Sequence, residues 1–139
     1  MMEKGKREKP GKPMLKVMLV EDDQTMVSLL NTLLKMEGFV VKIPESHQVD
    51  GLLDAIITDR PQIAFVDVKL RSGSGLDLVR KIRRDPEIKD TRILMSSGLH
   101  LEHECIQAGA DDFILKPFMP DDLINLIHKT INKKNISKK

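Results

Sequence analysis

The sequence predicts a doubly wound α/β fold, a five-stranded parallel sheet with helices on both faces. Three observations predict it. Short apolar runs rich in branched residues recur five times in 139 residues, a stretch with helical apolar spacing follows each, and the connections are only a few residues long. Parallel neighbours need a crossover that returns over the sheet, and a helix supplies it.

The first run, Leu15 to Val20, stops at Glu21-Asp22-Asp23. It lacks the polar alternation of a half-solvated strand, so it predicts a strand covered on both faces. Met26, Leu29, Leu30, Leu33 and Leu34 then recur three and four residues apart, with Gly38 as a stop signal, which predicts an amphipathic helix. Phe39 to Ile43 predicts the second strand, and Val49, Leu52, Leu53, Ile56 and Ile57 predict a helix that ends before Arg60-Pro61. The third strand is expected at Ile63 to Val66 with a helix from Ser74 to Arg84, and the fourth at Ile93 to Met95 with a weak helix near Leu101 to Ala108. The fifth is expected at Phe113 to Leu115, before a helix from Pro120 to Lys134.

Length allows one domain, placed at residues 14–132 between a basic N-terminal tail (1–13) and a basic C-terminal tail (133–139). The tails hide a charge segregation. Residues 1–13 carry five Lys/Arg and two Glu, and residues 129–139 carry five Lys and no acid, leaving thirteen bases against nineteen acids between them. The net charge of +2 thus describes an acidic body with basic ends, and the tails read as solvated segments. No direct nucleic-acid binding is expected, since four Phe with no Trp or Tyr offer few stacking platforms. No apolar run approaches a membrane span, the N-terminus lacks the apolar segment of a secretory signal, and a lone Cys105 suits a reducing, cytoplasmic location. Cys105 itself reads as a small core residue.

In a doubly wound sheet, ligands sit beyond the carboxyl ends of the strands. Those ends carry Glu21, Asp22 and Asp23 after strand one, Asp67 after strand three, Ser96-Ser97 after strand four, and Lys116-Pro117 after strand five. Acids, hydroxyls and a lysine on one rim are poorly explained by solvation. Three ionised carboxylates about 5 Å apart would repel by roughly 3 kcal/mol per pair at an effective dielectric near 20. Mg²⁺, a hard cation that takes one or two carboxylates plus waters and phosphate oxygens, is the natural counter-charge, and Lys116 is a second, weaker one. The pattern points to aspartyl-phosphate chemistry, with Asp67 as nucleophile, Glu21 and Asp22 as the metal-holding pair, and Lys116 and Ser97 binding the transferred group.

The stretches Val20-Glu21-Asp22-Asp23, Phe65-Val66-Asp67 with Gly75-Leu76-Asp77-Leu78, Ile93-Leu94-Met95-Ser96-Ser97 and Ala108 through Phe118 occur in order. In these motifs residues 14 to about 132 resemble the receiver domain of two-component response regulators. The resemblance implies the flavodoxin-like strand order 2-1-3-4-5 and a cis bond before Pro117. It implies Asp67 as phosphoacceptor, Asp22 as a direct Mg²⁺ ligand, Glu21 as a ligand through water, and the backbone carbonyl of Lys69 as a further ligand. Ser97 and Phe113 would be the switch residues and Lys116 the phosphoryl-binding lysine. A sensor histidine kinase or phosphotransfer protein would be the donor and a downstream protein the target, in phosphorelay signal transduction. The chain would then be no enzyme beyond catalysing its own phosphorylation and dephosphorylation.

Three departures stand out. Leu70-Arg71-Ser72 replaces the Pro-containing loop common in the family, Ser97 stands where Thr is commoner, and only nineteen positions separate Ser97 from Lys116, fewer than is usual. The shortening falls in the fourth-helix region, which many receivers use for output. After residue 132 the sequence as given leaves too little for an output domain, so either signalling through contacts or a place as a fragment of a longer protein is expected.

Other features read more plainly. His100 and His103 lack zinc-protease spacing and read as surface histidines; Gly73-Ser74-Gly75 reads as a turn only; and Arg80, Lys81, Arg83 and Arg84 read as a solvated outer helix face. Two alternatives remain: a degenerate receiver that docks partners without phosphorylation, and a Mg²⁺-dependent phosphatase of the haloacid dehalogenase kind. The second needs a general-acid Asp two residues after the nucleophile, where this chain has Lys69.

Overall fold

The computed structural model describes residues 14–133, so the N-terminal tail and all but Lys133 of the C-terminal tail lie outside the described residues. Seven strands and five helices follow in the order β1 (Lys16–Val20), α1 (Gln24–Met36), β2 (Val40–Lys42), α2 (Val49–Asp59), β3 (Ile63–Asp67), β4 (Lys69–Leu70), β5 (Gly73–Ser74), α3 (Gly75–Arg84), β6 (Arg92–Ser97), α4 (Glu102–Ala108), β7 (Asp112–Leu115) and α5 (Pro120–Ile131). The main sheet is parallel in the order β2-β1-β3-β6-β7. With its five strands renumbered, this is the expected 2-1-3-4-5.

The continuous apolar runs are explained by a core on each face. Met18, Val20, Ala64, Val66, Ile93 and Met95 pack toward Leu52 and Ile56 of α2, Leu78, Val79 and Ile82 of α3, and Cys105 of α4. Their strand neighbours Val17, Leu19, Ile63, Phe65 and Leu94 pack on the other face, against Leu30 and Leu34 of α1 and Leu123, Ile124 and Ile127 of α5. Successive strand residues point to opposite faces, and both faces are covered, so no polar alternation survives in the sequence.

Helix starts follow local chemistry. Asp23 caps α1 by accepting hydrogen bonds from the Thr25 and Met26 amides, Ser74 caps α3 through the Leu76 amide, and Pro120 opens α5. The weak helix near Leu101 is real but short, seven residues from Glu102 with no side-chain cap. Cys105 is buried, as expected, and burial pushes its thiol up to about 11. It should therefore resist iodoacetamide in the native protein at pH 8 and react once the chain is unfolded, as a mass increment would show.

Two sequence expectations need correction. Gly73-Ser74 is more than a turn, because it pairs antiparallel with Lys69-Leu70 as a two-residue hairpin directly after β3. Arg83 is not on a solvated face. Its side chain is 16% exposed, and its guanidinium donates to the carbonyls of Gly109, Lys89 and Thr91 and to Asp111 Oδ2. Arg80, by contrast, makes the expected exposed i,i+3 pair with Asp77.

Candidate functional site

Chain order reverses between β1 and β3, and the site lies beyond their carboxyl ends. Parallel register sets Val20 beside Val66, Asp67 beside Ser96, and Ser97 beside Leu115. The residues that leave each strand are thereby levelled on one rim. Lys116, just past β7, is anchored by its amide to the Ser97 carbonyl at 2.8 Å and precedes a cis peptide bond to Pro117. From there its side chain reaches Glu21, just past β1, and Asp67, at the end of β3.

The ammonium of Lys116 is 3.0 Å from Glu21 Oε1 and 3.0 Å from Asp67 Oδ2. All three side chains are largely withdrawn from solvent, with Glu21 the most buried at 2% exposure. Burial raises the pKa of Glu21, and the Asp23 amide and Lys116 pull against that rise. Burial pulls the Lys116 pKa down, but the hydrogen bonds and charges of Glu21 and Asp67 outweigh it and leave it raised. Lys116 is thus a firmly held cation facing two acids, with one positive charge between them.

Asp22 stands apart from this triad. His47 Nδ1 is 3.2 Å from its Oδ1, and its Oδ2 accepts the backbone N–H of Arg71 in the β4–β5 hairpin. The expected cluster of three mutually close carboxylates is therefore divided: Lys116 joins Glu21 and Asp67, and two loops hold Asp22. Among the described residues no three His, Cys, Asp or Glu side chains are grouped closely enough to hold a metal. The donor chemistry still fits Mg²⁺, which asks for only one or two carboxylates, and the buried, undercompensated Glu21 marks a place where added positive charge would be welcome.

Ser97 and Lys116 border a cleft with Asp67, Lys69, Gly98, Leu99 and Leu101. Ser97 Oγ accepts the Leu99 amide at 3.0 Å, which leaves its hydroxyl proton free to donate. The Lys69 side chain is exposed, and Phe113 is half-buried in β7 beside a second hollow lined by His100, His103 and Ile106. His100 and His103 are both exposed there, in keeping with their reading as surface histidines.

Sequence reasoning missed His47 and Gly75. The Gly75 amide donates to the Val68 carbonyl, and a Cβ on Gly75 would fall 2.1 Å from the carbonyl oxygen of Asp67. Only glycine lets α3 begin so close to the acid-bearing backbone. Gly75→Ala should therefore lower stability by about 1 to 3 kcal/mol in denaturant titration, since backbone must shift to admit the methyl group. An unchanged midpoint would mean that this contact is not tight.

A family model described as the response regulator receiver domain matches residues 17–128. The transcriptional regulatory protein CpxR of Escherichia coli (strain K12) is 30% identical over 125 residues, covering 89% of this chain and 52% of CpxR. The chain spans about half the length of that relative. Chemotaxis response regulator CheY4 of Vibrio cholerae superposes with a TM-score of 0.77 at 23% identity, over 85% of this chain and 99% of CheY4. The receiver domain of sensor histidine kinase PA1611 from Pseudomonas aeruginosa PAO1, solved with magnesium coordinated in its active-site cleft, gives 0.76 at 22% identity, over 87% and 100% of the two chains. At these identities the two structures speak for the fold alone.

Proposed function

The chain belongs to the response regulator receiver family, and from that premise we propose that Asp67 accepts a phosphoryl group from the phosphohistidine of a sensor kinase or phosphotransfer protein. The observation that carries the reading is the Lys116 ammonium held 3.0 Å from both Asp67 and Glu21.

In the transfer an Asp67 oxygen attacks phosphorus, the P–N bond to the donor imidazole breaks, and its electron pair stays on that nitrogen, which takes up a proton. Glu21, Asp22, Asp67 and the Lys69 carbonyl would hold Mg²⁺, which neutralises charge on the phosphoryl oxygens when bound. Lys116 exchanges its bond to Asp67 for one to the transferred group. Ser97 turns its free hydroxyl proton to a second phosphoryl oxygen, each bond contributing roughly 1.5 to 3 kcal/mol toward the switched state. Gly98 favours access, for even an added Cβ there would meet nothing within 4 Å. As Ser97 moves, Phe113 turns inward from its half-buried position, and the surface of α4, β7 and α5 changes for a downstream protein. Among the described residues no helix is long and apolar enough to cross a membrane, and the proposed setting is the cytoplasm. The chain's own phosphorylation and dephosphorylation would be its only catalysis.

Incubation with acetyl phosphate and Mg²⁺ tests this by intact mass: one added phosphoryl group is expected, and EDTA should prevent it. Turnover of many phosphomonoesters would favour a phosphatase, and no label under any donor would favour a docking module.

A further inference from the structure

His47 lies in the β2–α2 loop, twenty-five residues from Asp22, and nothing in the motif-bearing stretches marks it. Its position is well fixed. The Gln48 amide donates to Ser46 Oγ at 3.1 Å, and the loop folds so tightly onto the first turn of α2 that a Cβ at Gly51 would fall 2.1 Å from Ser46 Oγ. An Asp22 oxygen can only accept, so the 3.2 Å contact places the proton on His47 Nδ1. The other Asp22 oxygen is taken by the Arg71 amide. Both donors lie outside the group formed by Glu21, Asp67 and Lys116, and Asp22 makes no grouping of three metal-ligating side chains among the described residues.

We infer that His47 is a positioning residue that latches Asp22 away from the metal site, so that Mg²⁺ binding must draw the carboxylate off the imidazole. The inference rests on the proposed role of Asp22 in holding Mg²⁺. A hydrogen bond that the carboxylate must give up in order to turn to the metal competes with the metal, and its removal then tightens metal binding. Metal binding would also release the β2–α2 loop from β1, linking occupancy of the site to a surface the phosphoryl group does not touch.

The test uses the full ¹⁵N-labelled chain, titrated with Mg²⁺ alone and followed both by calorimetry and by the imidazole nitrogen signals of His47. His47→Ala should bind Mg²⁺ roughly 3- to 10-fold more tightly, the half-exposed setting keeping the gain modest. His47→Asn, whose side-chain amide can take the place of Nδ1, should return the affinity close to that of the unaltered chain. In the unaltered chain the His47 ring signals should shift with the same midpoint as the Asp67 amide. Equal or weaker binding by His47→Ala, or a ring signal indifferent to saturating Mg²⁺, would overturn the latch while phosphoryl labelling of Asp67 left the proposed function standing. Absence of Mg²⁺ binding in every variant, together with absence of labelling, would remove both.

Discussion

Asp67→Asn is expected to eliminate acetyl-phosphate labelling altogether, with the intact mass staying at that of the unlabelled variant. The carboxylate oxygen that would attack phosphorus is gone, and an amide oxygen is a far poorer nucleophile at the same place. Loss of fold is not the expected cause. Asp67 and Glu21 share one ammonium at 3.0 Å each, so removing one acid leaves Lys116 paired with Glu21 and relieves carboxylate repulsion at a buried site. Melting should accordingly show stability held or slightly raised. A variant that still gained one phosphoryl group would place the acceptor elsewhere, and peptide mapping would say where. A variant that lost the label because it no longer folded would contradict the electrostatic account of the triad.

The largest stability loss is expected at Arg83, remote from the chemistry. Its guanidinium holds three carbonyls at 2.8 Å or less, those of Gly109, Lys89 and Thr91, and pairs with Asp111 at 3.0 Å. Asp111 Oδ2 also accepts the amide of Ile93 at the start of β6. One side chain thus joins the end of α3, the connection into β6 and the turn between α4 and β7. Both partners of the ion pair are well shielded, at 16% and 8% exposure. Arg83→Ala strips a partner from Asp111 and donors from three carbonyls, and breaking such a pair costs about 3 to 5 kcal/mol. Arg83→Lys should recover little, because an ammonium cannot span that fork of acceptors. The measurement is urea unfolding of each variant with an unchanged slope. A loss below about 1 kcal/mol, the size of a surface charge effect, would return Arg83 to the solvated role its sequence suggests.

Arg83 and His47 show where sequence reading stops. On α3, Leu78, Val79 and Ile82 set the buried stripe, and Arg83 beside them reads as polar and outward. A long arginine stem can nevertheless run along the protein and place its head among carbonyls that a distant turn supplies. Nothing local announces that turn. The β4–β5 hairpin escaped for a related reason: strands of two residues are too short to show any period, and its glycine spoke only of a turn.

What the sequence determined by itself is the frame: five buried parallel strands, helices on both faces, and the rim on which Glu21, Asp67, Ser97 and Lys116 stand. Apolar periodicity is a local record of which face is covered, and a strand that ends in an acid places that acid on the rim whatever the loops do. The tertiary structure decided which charges meet. It alone showed Lys116 bridging Glu21 and Asp67, the first of these ninety-five residues away, and Asp22 turned instead to His47 and the Arg71 amide. Polar contacts of that kind depend on how separate loops come to rest on the sheet, to within a fraction of an ångström, and spacing along the chain carries no record of it.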